Sequence, residues 1–565
     1  MRNPHPPLQT TPRLFPFGSF FILLLLSACS AGLSKPDPKK QQETLKQELN
    51  QYLTSMKMPE GILEDSTHLL SAEETKGYYQ ARQFESHWVQ PDSITPGGTS
   101  MIELAQNARL LGLLPKHYHE QELTGLIKNF EQDTLGTGAR QDLKAWAKMD
   151  LLLTDAFLTM ARHLQKGHTL VDSLKKNNTY KPETYSQALA KTLDTQDPAG
   201  ILNTLEPTAI GYKELKKAIP DFLRTANFSK QYTRLNYPYR DSSAFIRSLI
   251  KRLKEDNYLD SSVQRIDSAG LAATLKRVQT ARNLKVDGKY GSQLVNSLNN
   301  SDQEKFLKVA INMDRYRMDR EQLPNRYIWV NLPSFFLQVY ENETIALESR
   351  VVVGKPSTRT PLLTSQISDV ITYPTWTIPA SIISGEILPQ LKRDPGYLAR
   401  KGYSLFDSDG NEIDPYGVNW SQYARGIPYR VVQGQGDANA LGIMKFNFPN
   451  KYSVYLHDTN QRSLFGNDYR SLSHGCVRVQ NWDGLYKYII RIDSTQAAGS
   501  GSKFTPTDSV RTWLSQKERH IIPVKANLPV YFRYYTAAGK NGKLETYSDI
   551  YNEDKMLREQ LVKDE

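Results

Sequence analysis

Between residues 60 and 250 apolar side chains recur at three- and four-residue spacing, as at Leu104, Ala108 and Leu111 and through residues 149–161. That period sets one stripe of each helix against a core, so the pattern predicts an all-helical domain over 59–255. Tyr78, Tyr79, Phe84 and Trp88 gather at the end of one such helix, where core packing is their reading. A smaller unit follows over 256–302. Leu271, Leu275 and Val278 share a helical face there, Asp287-Gly288 and Gly291 supply turn chemistry, and Leu294 and Leu298 mark another helix. A linking helix over 303–325 carries Val309-Ala310-Ile311, and beyond it the period shortens. Residues 327–332, 335–340 and 350–354 read as strands and open a mainly β domain over 326–495. A stretch rich in Gly, Pro and Asp, about 377–430, interrupts those strands and reads as an inserted cap. Residues 496–565 read as a C-terminal segment packed on the β domain, which makes the expected fold class α+β and multidomain.

The amino terminus follows a different pattern. Arg2 and Arg13 precede an apolar run over 14–26, and Ser27-Ala28-Cys29 comes next. Basic, apolar and small residues in that order predict a secretory signal over 1–28, and the run, broken by Pro16, falls short of the ~20 residues of a spanning helix. Leu26-Ser27-Ala28-Cys29 resembles the lipobox of bacterial lipoproteins, which implies that the Cys29 thiol is acylated and becomes the mature terminus. A plain signal peptide that happens to contain a cysteine is the alternative. Residues 29–58, with Lys35-Pro36-Asp37-Pro38, read as a tether. The location implied is the cell envelope, lipid-anchored and facing the periplasm.

Composition narrows the class without naming a chemistry. A chain of 565 residues, 39% hydrophobic and 23% charged, excludes collagens, coiled-coil rods and integral transporters. Lys and Arg total 71 against 60 Asp and Glu, so the net charge of +11 is thinly spread. It suits an anionic polymer or surface, although solubilising lysine is its ordinary origin, and no nucleic-acid partner is expected. His117 and His119 could suggest a metal, but they lack a third ligand nearby in sequence and read as exposed loop histidines. Two cysteines, Cys29 and Cys476, cannot form a disulfide framework and must be read one at a time.

Around Cys476 two strand-like stretches alternate. Residues 451–457 place Tyr452, Val454 and Leu456 on a buried face and Ser453, Tyr455 and His457 on the other. Residues 473–479 send Val477 and Val479 inward and leave His474, Cys476 and Arg478 opposite. The loop over 459–472 is long enough to bring the second strand beside the first. A thiol, two imidazoles, a phenol and a guanidinium then converge on one side of a sheet. A thiol with pKa ~8.5 needs a base near neutral pH, and His457 and His474 are available. Gly475 beside the thiol lets backbone N–H groups approach an oxyanion, Arg478 suits a substrate carboxylate, and Asp458 stands ready to orient His457. Trp376, where the cap begins, and Tyr455 are expected to line a groove. A buried, inert cysteine is the alternative reading.

His457, then 15 residues, then Ser473-His474-Gly475-Cys476-Val477-Arg478 resembles the signature of the L,D-transpeptidases of bacterial cell walls. Asn331-Leu332-Pro333, Val353-Gly354-Lys355, Pro374-Thr375-Trp376, residues 442–450 and Ser548-Asp549-Ile550-Tyr551 resemble its long subfamily, with helical scaffold and capped catalytic domain. Residues 275–291 are similar to a three-helix peptidoglycan-binding module. The resemblance implies His457 as general base, Cys476 as nucleophile, His474 and Ser473 near the oxyanion region, and Arg478 on the substrate. It implies cross-linking of stem peptides through a Cys476 thioester with release of D-alanine, with no metal and no organic cofactor, and carbapenem-type β-lactams as inhibitors. Passing the same thioester to water or to a protein lysine is the rival within the class. A non-catalytic wall-binding lipoprotein is the rival outside it.

Overall fold

A computed structural model describes residues 37–134, 138–168, 183–230, 232–282, 284–320, 322–500 and 504–563. The signal over 1–28 and Cys29 lie outside the described residues.

The apolar run through 149–161 lies in a 24-residue helix, Leu143–Lys166, whose first turn is closed by the Asp142 carboxylate accepting from the N–H groups of Lys144 and Ala145. This helix is buried on nearly every face, so the helical region is built around it. Asp150 is wholly buried on it and accepts from the backbone N–H groups of His87, Trp88 and Val89 and from the Tyr79 hydroxyl at 2.6 Å. Burial pushes its pKa up to about 6. The aromatic segment is thus core, as its pattern predicts. The tether expected over 29–58 is not borne out for its second half. Residues Pro38–Ser55 form a helix that buries Leu45, Leu49, Tyr52 and Leu53 against the long helix, a heptad-like face that starts only at Leu45 and is masked by the Lys and Pro before it.

The small unit also differs from its expected bounds. Its core joins Leu275, Val278, Leu294 and Leu298 to Leu235, Phe245, Leu249 and Leu253, so helix Ser242–Glu255 belongs here and not to the domain expected over 59–255. An eight-residue helix and one of fourteen cannot enclose an apolar core alone, and the third helix closes it. The link expected over 303–325 is a buried helix, Asp302–Met318, in contact with the long helix, with helix Ile210–Thr225 and with helix Asp554–Lys563. Its Asn312 exchanges hydrogen bonds with Thr536, and its Arg315 pairs with Asp554 at 2.7 Å.

The β region is a mixed, curled 11-stranded sheet. Along it run Ile521–Pro523, Asp369–Thr372, Met444–Asn447, Leu456–His457, Val477–Val479, Thr344–Gly354, Phe336–Glu341, Arg326–Asn331, Pro529–Arg533 and Leu363–Gln366, with Ser471–Ser473 beside Thr344–Gly354. Leu363–Gln366 and Asp369–Thr372 are nearly consecutive in the chain yet lie at and next to opposite ends of this order, so the sheet closes toward itself around one core. The β domain therefore does not stop at 495. Two of its strands, Ile521–Pro523 and Pro529–Arg533, come from the expected C-terminal segment, whose short alternating runs carry little signal on their own.

The insertion is a separate small body. Strands Trp376–Thr377, Arg430–Gln433 and Tyr403–Phe406 pair into their own sheet, and Ile378, Ile382, Ile387, Leu391, Leu398, Trp420 and Val431 form its core. No helix among the described residues is long and apolar enough to cross a membrane.

Candidate functional site

Three strands of the sheet carry the site in register. Lys445 pairs with His457, and His457 pairs with Arg478 on the parallel neighbour Val477–Val479. Cross-strand partners project to the same face, so the imidazole stands between an ammonium and a guanidinium. One step along the same face, the Val477 N–H donates to the Tyr455 carbonyl at 3.1 Å, which sets Cys476 beside Tyr455. Leu456, Val477 and Val479 fill the opposite face and are buried.

The expected alternation over 451–457 holds from Val454 onward and fails before it. Ser453 has φ of 56°, which turns the backbone and leaves Tyr452 exposed instead of buried. The Asn450 side chain supports this turn by accepting from the N–H groups of Tyr452 and Val454. The Cys476 thiol lies 3.9 Å from the Ser453 carbonyl oxygen, so the turn forms one wall of the site.

His457 is buried, and burial, with Arg478 and Lys445 adding to it, drives its pKa down to about 3. The imidazole is therefore neutral. Its Nδ1 is hydrogen-bonded to the Asp458 main-chain carbonyl, which can only accept, so Nδ1 carries the proton and Nε2 keeps a lone pair. Asp458 does orient the ring, but through its backbone. Its carboxylate points away, as adjacent strand residues must, to Arg462 at 2.9 Å and the Ile443 N–H at 3.1 Å. Burial pushes the Cys476 thiol up, opposed by hydrogen bonding to Tyr455 and by the charges of Lys445 and Arg478. The neutral imidazole and the thiol lie on one face of the sheet.

The turn that presents the thiol is fixed from below. Gly475 has φ of 122°, a conformation that a side chain would strain. Its N–H donates to Ser473 Oγ at 3.1 Å, and the Ser473 hydroxyl donates to the Cys476 carbonyl at 2.6 Å. Gly475 and Ser473 thus bond to each other and hold the turn. Thr360 Oγ1 donates to the Gly475 carbonyl at 2.8 Å and Thr358 Oγ1 to the Ser473 carbonyl at 3.0 Å. Gly354, where a β-carbon would come within 2.2 Å of the Thr358 carbonyl, lets this loop close. Tyr551 braces the loop in turn: its hydroxyl donates to the Gly354 carbonyl at 2.7 Å and accepts from the Thr360 N–H.

His474 does not join His457. The break in the strand at Gly475 turns it outward, and its Nε2 meets the Glu386 carboxylate of the cap at 2.6 Å. Trp376 and Tyr455 do come together: the Tyr455 hydroxyl is within hydrogen-bonding reach of the Trp376 indole and of the Cys476 thiol. Arg478 is half-buried and is held by Gln461 at 2.9 Å, with no acidic partner among the described residues. Glu386, Thr358, Thr360 and Tyr551 act here without being foreseen in those roles. Their signals lie in long-range packing, although Tyr551 stands within a stretch that marks the family likeness. His117 and His119 are not exposed loop histidines: both are buried, His119 against Asp155 at 2.7 Å and His117 against the His168 ring. Packing around the long helix covers the loop that carries them. Among the described residues no group of three or more His, Cys, Asp or Glu is placed to hold a metal.

Residues 325–491 match the family model of the L,D-transpeptidase catalytic domain, YkuD, and residues 73–219 match that of a Scaffold domain. A Haemophilus influenzae protein named provisionally as an L,D-transpeptidase is 38% identical over 252 residues, 44% of this chain and 48% of its own length. The chain thus spans about half of that relative. An L,D-transpeptidase from Mycobacterium smegmatis shares 12% identity over 37% of this chain and 58% of its own, with a TM-score of 0.17. The Ldtfm–avibactam carbamoyl enzyme shares 15% over 38% of this chain and 51% of its own, also with a TM-score of 0.17. Both scores are too low to speak to the fold. The strands that hold Cys476 and His457 lie within the stretch that matches the L,D-transpeptidase catalytic domain, and the long helix Leu143–Lys166 within the stretch that matches the Scaffold domain.

Proposed function

We propose that the protein is a peptidoglycan L,D-transpeptidase working through an acyl-thioester on Cys476. The observation that carries this is the Cys476 thiol on the same sheet face as a neutral, buried imidazole whose Nδ1 proton is fixed on a carbonyl. His457 Nε2 takes the thiol proton as sulfur attacks the carbonyl between the third residue of a tetrapeptide stem and its terminal D-alanine. The C–N bond breaks, the proton passes to the departing amine, and a thioester remains. The side-chain amine of a neighbouring stem then attacks the thioester carbonyl and loses a proton to His457. The thiol is regenerated as the cross-link forms. Arg478, free of any acidic partner among the described residues, suits a substrate carboxylate.

The cap fits this chemistry by sheltering the thioester from water until an acceptor arrives. Its Glu386 reaches His474 next to the thiol turn, which supports a position over the site. The amino-terminal signal and lipobox add a lipid anchor through Cys29, facing the periplasm, and β-lactams of the carbapenem type are the expected covalent inhibitors. Intact mass measured after incubation with a carbapenem, and again with tetrapeptide stems, tests the reading. Acylation of Cys476 by both, with D-alanine released, is expected. Release of D-alanine with no cross-link, even when acceptor stems are abundant, would assign the thioester to water. No acylation by either would leave only a wall-binding protein.

A further inference from the structure

Lys445 is a cation without an ionic partner. It is half-buried on strand Met444–Asn447, and among the described residues it has no hydrogen bond or ion pair; its contact is the Tyr455 ring, 4.0 Å from Nζ to the centroid. Burial lowers its pKa from the usual lysine value, while the Cys476 thiol opposes that shift, so the ammonium and the sulfur share one local field. Asp369, the acid nearest in register, is occupied: its carboxylate accepts from Asn447 Nδ2 at 2.6 Å and from Ser368 Oγ at 2.7 Å. An ammonium withdrawn from water without an ion pair carries a desolvation cost that the Asp369 charge offsets only from a distance, and a bound anion would offset it further.

The space in front of Lys445 is a groove of about 380 Å³ lined by Lys445, Asn447, Ser368, Ser453 and Tyr455. It lies beside the thiol, since Ser453, one of its walls, contributes the carbonyl 3.9 Å from Cys476 Sγ. The register across the sheet runs Lys445, His457, Arg478, so Lys445 lies on the side of the imidazole away from Arg478. A substrate centred on the thiol therefore has Arg478 along the strand that follows Cys476 and Lys445 across the Tyr455 ring.

We infer that Lys445 reads a carboxylate of the donor stem in this groove and sets which stems acylate Cys476. The inference rests on the donor acylation proposed above. Two carboxylates have this chemistry: one on the side chain of the third residue, present when that residue is a diaminodicarboxylic acid and absent when it is lysine, and that of the departing D-alanine. Asn447 and Ser453 line the same groove and offer polar atoms to either.

The test compares four donors on the full chain: a tetrapeptide with a diaminodicarboxylic third residue, the same peptide amidated on that side chain, the same peptide amidated at its C-terminus, and a lysine analogue. D-alanine or D-alaninamide release gives KM and kcat. One charge-assisted contact makes KM about 10–100-fold lower for the donor that keeps the recognised carboxylate. Lys445→Gln should erase that difference by raising KM for that donor alone, and Lys445→Arg should restore part of it. Discrimination against the side-chain amide and the lysine analogue identifies the third residue as the source; discrimination against the C-terminal amide identifies the leaving D-alanine. An equal loss on all four donors, falling in kcat, would mean that Lys445 acts only on the thiol and would overturn the inference. Failure of every stem to acylate the wild-type chain, while a carbapenem still does, would instead overturn the donor reading beneath it.

Discussion

His117 and His163 in the helical region and His457 in the sheet share a protonation state and its cause. Burial holds each of them neutral, His117 and His457 at about 3 and His163 well below the ordinary value. Their surroundings differ. His163 accepts or donates one hydrogen bond, to the Tyr118 hydroxyl, and neither ring nitrogen of His117 has a hydrogen-bond partner. His457 has one nitrogen fixed on a carbonyl, a thiol on its own face and cations on both flanks. A strongly shifted histidine is therefore a poor marker of chemistry taken alone. What separates the two regions is a second reactive group placed in register, and a backbone that settles which nitrogen holds the proton.

The sharpest way to break the comparison is to exchange the outcomes of substitution. Cys476→Ser is expected to abolish carbapenem acylation with Tm unchanged, and His457→Ala to slow acylation by about 10²–10⁴. Intact-mass kinetics measure both, and near-wild-type acylation in His457→Ala would remove the imidazole from the mechanism. Asp150→Ala should do the reverse. Three backbone N–H groups lose their acceptor, so stability falls by at least ~3 kcal/mol while the fraction still folded keeps its acylation rate. Chemical denaturation read beside acylation checks this, and an Asp150→Ala chain as stable as wild type would mean that the buried carboxylate anchors nothing.

A smaller effect concerns pH. With the folded His457 pKa near 3, the base stays unprotonated as pH falls from 7 to 5, so acylation should show no acid limb in that window. The thiol, raised by burial, should alkylate with iodoacetamide more slowly at pH 7 than an unperturbed cysteine. An acid limb with its midpoint near 6.5 in stopped-flow acylation would place His457 in solvent. Smallest of all, His117→Leu should raise stability by about 1 kcal/mol and leave acylation alone, because it removes buried nitrogens that lack partners. A clear loss of acylation in that variant would join the two regions functionally.

Local pattern made some of this legible. Heptad-like and alternating spacing located the long helix and the strands around Cys476, and the short string from Ser473 to Arg478 carried the chemistry. Three things escaped it, each for a nonlocal reason. The helix over Ser242–Glu255 belongs to the small unit because its Phe245 and Leu249 stripe finds Leu275 and Leu294, a choice of partner that periodicity does not encode. The strands near 521 and 529 enter the sheet because edges at Asp369–Thr372 and Arg326–Asn331 need pairing, a demand made far away in the chain. Asp458 looked like the orienting carboxylate because it follows His457, yet adjacent strand residues face opposite ways and only its carbonyl reaches the ring.

The bracing of the thiol turn by Tyr551 bears on when the protein becomes reactive. A nascent chain that has reached Val479 already contains Cys476, His457, Lys445 and Arg478, but not the strands at 521–533 or the hydroxyl that ties Gly354 and Thr360 together. The loop beneath Gly475 has nothing to rest on at that stage, and the thiol is an ordinary cysteine on an unfinished edge. On the proposed chemistry, the stretch through Tyr551 acts as a clasp that completes the thiol turn last. A single proteolytic cut between residues 504 and 520 that releases this stretch should disarm the site while leaving every reacting side chain in place.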